Sequence, residues 1–165
     1  MLRSEVEAKV AQAIRKLHKK DWFLLCNKVY EVCVAHRLAL YLQPLFPGWD
    51  VDIEYDLAMN SHGVTEKEID NLRVQLVSAG LNHRRSTDNV RPDIIIHKRG
   101  EADNLLVIEI KKKTSTDNRQ DKIKLGAFTK DPFKYEHGLL VHFQGEQQES
   151  ERLTWYVDGL EDVPS

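Results

Sequence analysis

The chain has 165 residues, with 24 Lys plus Arg against 26 Asp plus Glu and a formal net charge of −2. That length suits one domain with a real core, and 41% hydrophobic with 30% charged residues is the composition of an ordinary globular protein. Near-neutrality excludes a histone-like coat of positive charge, although a local basic stripe can hide inside a balanced total.

The start, Met1-Leu2-Arg3-Ser4-Glu5, is charged and lacks the apolar centre of a secretion signal. No run approaches the roughly 20 apolar residues that cross a bilayer, so no membrane partner is expected. Val6, Val10, Ile14 and Leu17 recur at helical spacing and predict an amphipathic helix over 4–18. Whether 22–26 bends or continues it stays open. Asn27 is a candidate cap for a longer helix over 28–46, with Val29, Val32, Cys33, His36, Leu40 and Leu42 near its inner side, closed by Pro44 and Pro47-Gly48. Cys26 and Cys33 are too few for a disulfide scaffold and, on one helix, too far apart to bridge. Buried free thiols in a reducing cytoplasm are expected.

Apolar and acidic residues then alternate through 49–56, the pattern of a strand with one wet face. Residues 57–90 read as an insertion, with a break at Asn60-Ser61-His62-Gly63, a helix over 65–79 and a polar loop over 80–89. Thr65 and Glu68 have the spacing of a capping box. Two strands follow, 91–97 and 105–111, joined by a polar turn that suits a hairpin. Helical spacing returns over 116–130 through Ile123, Leu125 and Phe128, and Pro132 ends it. Strands are expected at 138–143, apolar throughout and central, and at 153–157. The prediction is one α/β domain, 1–165, with a mixed sheet. Residues 1–26 form a helical extension, 57–90 a helical insertion after the first strand, and 144–165 an acidic strand and tail.

The chemistry concentrates on the expected hairpin. Asp93 opens its first strand, and Glu109 lies near the end of the second with Lys111 two residues on. Side chains alternate across a strand, so Glu109 and Lys111 share a face that Ile108 and Ile110 do not. An antiparallel pair sets the beginning of one strand beside the end of the other, which brings Asp93 to Glu109. Two carboxylates with an ammonium alongside would make a hard-oxygen site for Mg²⁺. A plain surface pair between Glu109 and Lys111 is the competing reading. Charges are seldom placed in strands this apolar without a partner or a task.

Arg91-Pro92-Asp93-Ile94-Ile95-Ile96, a hairpin, then Val107-Ile108-Glu109-Ile110-Lys111 resembles the PD-(D/E)xK nucleases. The resemblance covers roughly residues 27–145. It implies a restriction-endonuclease-like core of helix, three strands, helix and strand. It further implies that Asp93, Glu109 and the Ile110 carbonyl hold Mg²⁺, with Mn²⁺ able to substitute. Lys111 would orient or polarise the attacking water, and Glu31 on the family's first helix would assist. The reaction implied is hydrolysis of DNA phosphodiesters, with one or two metals left open. The alternative is an inactive module of the same fold that binds nucleic acid or a protein. On the second helix of the family pattern Gln120 and Lys124 lie one turn apart, with Lys122 as a further candidate; their ordinary reading is a solvated face. Lys113 would touch a phosphate if the strand persists, while Lys112 points away. His83-Arg84-Arg85 in the insertion is the expected substrate or dimer contact, with Arg84 and Arg85 its cations. A homodimer would supply two sites for the two strands of a duplex, and a specificity or regulatory protein is the other expected partner.

Other chemistries fit less well. The seven histidines make no zinc spacing, there is no phosphate-binding glycine loop, and His36 and Cys33 read as packed residues rather than a ligand or a nucleophile. Residues 84–124 hold eleven Lys or Arg against seven Asp or Glu, while 144–165 hold six acids and one arginine. The small net charge is therefore a sum of unlike parts.

Overall fold

The computed structural model describes residues 1–60, 63–66, 72–80, 90–112, 117–145 and 151–162. Helix α1 spans Arg3–Cys26, further than 4–18. It kinks at Asp21 (φ −127°, ψ 26°) and continues through the segment whose course the spacing left open. The Asp21 side chain at the kink is bonded across to the next helix: Arg37 Nε donates to Asp21 Oδ1 at 3.0 Å, and the Tyr41 hydroxyl donates to Oδ2.

Asn27 is not the start of a helix but the end of one. Its backbone N–H and its amide both donate to the Phe23 carbonyl, and helix α2 begins only at Glu31, running Glu31–Leu42. The face it buries is Val34, Ala35, Leu38, Ala39, Tyr41 and Leu42. Val32, Cys33, His36 and Leu40, expected near the inside, are exposed. Both apolar stripes have helical spacing; the one that carries the larger aliphatic side chains Val34, Leu38 and Leu42 is buried, and Arg37 and Tyr41 bond to Asp21 of α1. Cys26 and Cys33 are accordingly free and exposed on two helices, not buried on one. A 3-10 turn, Gln43–Leu45, leads out of α2.

The sheet contains β1 (Asp50–Ile53), β4 (Ile94–His97), β5 (Asn104–Lys112), β6 (His137–Phe143), β7 (Glu151–Val157) and β8 (Leu160–Asp162), in the spatial order β1-β4-β5-β6-β7-β8. Only β5 and β6 are parallel, and helix α4 (Arg119–Phe128) forms the crossover that a parallel pair needs. The class is α/β with a mixed sheet. The 57–90 segment is not simply helical. Leu57–Asn60 (β2) and Gly63–Glu66 (β3) form a separate hairpin, and among the described residues helix α3 spans Leu72–Ser78. Thr65 thus sits in a strand beside Val64, where β-branched residues are at home, and does not cap a helix. The tail is more ordered than expected, since Asp158 and Gly159, both at positive φ, turn β7 into β8.

Two layers cover the sheet. Val6, Val10, Ile14 and Leu17 of α1 and Val34, Leu38 and Leu42 of α2 pack with Ile94, Ile96, Leu106, Ile108 and Ile110. On the other face Leu76 of α3 and Leu125 and Phe128 of α4 pack with Ile95, Val107 and Leu140. Strands buried on both faces account for the uninterrupted apolar runs in β4, β5 and β6. No described helix is long and apolar enough to cross a membrane.

Candidate active site

The alternation of β5 decides the site. Leu106, Ile108 and Ile110 belong to the α1–α2 core while Val107 belongs to the α4 core. Glu109 and Lys111 therefore project on the α4 side. Ile94 pairs with Ile108, which sets Asp93, the residue before β4, next to Glu109. Asp93 Oδ2 accepts from the Ile110 N–H at 2.6 Å. In a strand the N–H and C=O of one residue point to the same side. The Ile110 carbonyl is therefore turned to the edge where β4 ends.

Four carboxylates and two ammoniums meet here. Glu109 is only 1% exposed, and Lys124 Nζ donates to its Oε1 at 2.6 Å. Lys111 Nζ stands 3.3 Å from Glu31 Oε2 and 3.3 Å from Asp121 Oδ2. Lys124 lies 3.9 Å from Asp121. Glu31 occupies the first turn of α2, where the helix dipole favours an anion, and its Oε1 accepts from the Lys112 N–H at 3.0 Å. One acid thus comes from α2, one from the approach to β4, one from β5 and one from α4.

Acids exceed cations by two, in a place with little water to screen them. Burial first, then the neighbouring Asp93 and Asp121, push the Glu109 carboxyl up against the pull of Lys124. Burial likewise raises Asp93, with Glu31 adding to it, while the Ile110 N–H, Lys124 and Lys111 oppose. Burial works against the charge on Lys111 and Lys124, but the surrounding acids outweigh it and hold both ammoniums above their ordinary value.

Asp93, Glu109, Lys111 and Glu31 thus converge as expected. Lys124, expected only as a phosphate contact, is part of the cluster itself. Gln120 is exposed outside it, and Lys122 pairs with Glu161 at 2.9 Å. Lys112 does point away; its buried ammonium donates to the carbonyls of Leu24, Asn27 and Val29. Lys113 and His83, Arg84 and Arg85 lie outside the described residues. Asp121 was missed. Its signal was present: it stands in the apolar stripe with Leu125 and Phe128, at the spacing i, i+4, i+7, where an acid is out of place.

Among the described residues no three His, Cys, Asp or Glu side chains form a ready metal cage, because lysines intervene between the acids. The donor chemistry nonetheless suits a hard divalent cation: carboxyl oxygens, a backbone carbonyl turned to the same edge, and two more carboxyl groups than ammoniums. No family model, curated protein or solved structure matches the chain.

Proposed function

We propose that the protein is a metal-dependent nuclease of the PD-(D/E)xK kind, hydrolysing phosphodiester bonds of DNA on a restriction-endonuclease-like core made of α2, β1, β4, β5, α4 and β6. The observation that carries this reading is Glu109: a carboxylate 1% exposed, beside Asp93, in a cluster whose acids outnumber its cations by two. A purely structural ion-pair network gains nothing from that imbalance, since each surplus buried charge destabilises the fold. A functional site tolerates it.

Asp93, Glu109 and the Ile110 carbonyl would hold Mg²⁺ or Mn²⁺, with Glu31 assisting. Such an ion lowers the pKa of water and neutralises charge on phosphoryl oxygens. The remaining work falls to the chain. Asp121 and Glu31 fix the Lys111 ammonium from two sides, so that it is presented as a charged donor for a phosphoryl oxygen or the attacking water. Lys124, held against Glu109 Oε1, is the counterion that Mg²⁺ or Mn²⁺ would displace.

One observation favours the second reading, a non-cleaving module of the same fold. The Lys124 ammonium already sits on Glu109, as a resident counterion would. Plasmid and single-stranded DNA incubated with Mg²⁺, Mn²⁺ or EDTA separate the two. The nuclease reading expects metal-dependent cleavage that Asp93→Ala and Glu109→Ala abolish. Cleavage by those variants at the parent's rate, or none by the parent, would sink it.

A further inference from the structure

We infer that the C-terminal half of α1 and the turn after it form a docking track for single-stranded nucleic acid, with Arg15, Lys19, Lys20 and Lys28 engaging phosphates and Phe23 and Tyr30 presenting ring faces to unstacked bases. The inference rests on the nuclease reading for its choice of polyanion, and it names the surface on which that substrate would lie.

Residues 15–28 carry five cations and one acid, Asp21. That acid is already engaged by Arg37 and Tyr41 of α2. Arg15 and Lys19 lie one turn apart, and Lys20 shares a neighbouring row with Lys16. Arg15, Lys19, Lys20 and Lys28 are exposed and make no ion pair among the described residues. Many exposed cations elsewhere are matched to an acid, as in Arg91–Asp56, Lys98–Asp103, Arg119–Asp117 and Lys134–Asp131. The overall charge of −2 is therefore distributed so as to leave one helix surface positive and unneutralised.

Two aromatic rings stand out on the same stretch. Phe23 is 68% exposed and Tyr30 is 84% exposed, far beyond what packing asks of either. Rings interleaved with cations suit a strand whose bases are free to stack, and offer little to a closed duplex. A membrane-lying helix would instead need its apolar face outward. That face of α1, Val6, Val10, Ile14, Leu17 and Leu25, is committed to the core.

The track also runs to the site. Lys112 fastens the turn between α1 and α2 to the end of β5 through the carbonyls of Leu24, Asn27 and Val29. Tyr30 immediately precedes Glu31, whose carboxylate meets Lys111. A strand lying along α1 and past Tyr30 would arrive at Glu31, the acid of the cluster that α2 contributes from this side of the sheet.

Fluorescence anisotropy of a labelled single-stranded oligonucleotide and its duplex, with the full chain in EDTA, tests this without turnover. Arg15→Ala/Lys19→Ala/Lys20→Ala should weaken single-strand binding at least about tenfold near 0.1 M salt and reduce the salt slope by about 2, at ~0.7 per phosphate contact. Phe23→Ala/Tyr30→Ala should weaken it by at least about thirtyfold and leave the duplex nearly unchanged. Lys19→Arg/Lys20→Arg should bind like the parent. All of these sites are exposed, and melting curves matching the parent exclude misfolding as the cause. Binding by the triple variant equal to the parent's overturns the inference. So does equal loss for duplex and single strand in the aromatic variant, or co-sedimentation with phosphatidylserine vesicles in place of oligonucleotide binding. Binding with these responses but no metal-dependent cleavage would leave the track standing and remove the nuclease reading alone. Cleavage with KM unmoved by the triple variant would do the reverse.

Discussion

Replacing Glu109 by Gln should make the metal-free protein more stable at alkaline pH, although it weakens a buried 2.6 Å contact. Gln has the same shape and keeps an oxygen for the Lys124 ammonium, but removes one of the two surplus acids. In the parent, burial and the acids around it push the Glu109 carboxyl from 4.5 up to about 8. A carboxyl raised in the folded state remains protonated there at pH values where the unfolded chain has already lost its proton. Stability is therefore fullest below pH 4.5 and falls as pH rises toward 8, by about 1.4 kcal/mol per unit. Over that window the parent loses up to about 4 kcal/mol through this group, and Glu109→Gln does not. The variant should match the parent near pH 4.5 and exceed it by up to about 4 kcal/mol at pH 8, or roughly 5–15 °C in Tm for a chain of this size. Urea unfolding of both proteins in EDTA, at several pH values across the window, measures the difference. A Gln variant less stable than the parent at pH 8, or a difference that does not vary with pH, would mean that Glu109 and Lys124 form an ordinary stabilising pair. The surplus acid at this site would then not destabilise the fold.

Three further outcomes follow from the same contacts. Lys112→Met removes the buried donor that holds three carbonyls at the junction of α1 and α2, and should lower stability by about 2–3 kcal/mol in urea unfolding; an unchanged midpoint would refute that role. Gly159→Ala should destabilise by about 1 kcal/mol, because its φ is +80°, a conformation L side chains rarely adopt, while the exposed Lys130 side chain can swing off the added Cβ; a neutral thermal melt would contradict the strained turn. Leu38→Ala, at a fully buried position between α1 and α2, should cost about 2–5 kcal/mol, and a loss below 1 would show that this layer closes over the gap.

Much of the site was legible because strand periodicity is unambiguous. In β5, once Ile108 and Ile110 are buried toward α1 and α2, Glu109 and Lys111 must share the opposite face, and antiparallel pairing brings Asp93 to them. Helical periodicity was less decisive. In α2 the stripe of Val32, Cys33, His36 and Leu40 and the stripe of Val34, Leu38 and Leu42 both read as apolar. The choice is made by packing against α1 and the sheet, which helical spacing alone does not reveal. Asp121 escaped notice because an acid beside Lys122 and Lys124 looks like ordinary helix solvation until its place among Leu125 and Phe128 is counted. The β2–β3 hairpin was overlooked because its strands are four residues each, too short for either period to declare itself. The β7–β8 turn carried a recognisable Asp-Gly signal, masked by reading the acidic end as a tail.

The proposed metal site lies between Asp93 and Glu109. Crystals soaked with Mn²⁺ and examined by anomalous diffraction test it most directly. A peak is expected between Asp93 and Glu109 within reach of the Ile110 carbonyl, with the Lys124 ammonium drawn off Glu109 Oε1. Crystals at high Mn²⁺ with no peak there, and Lys124 still seated on Glu109, would contradict it.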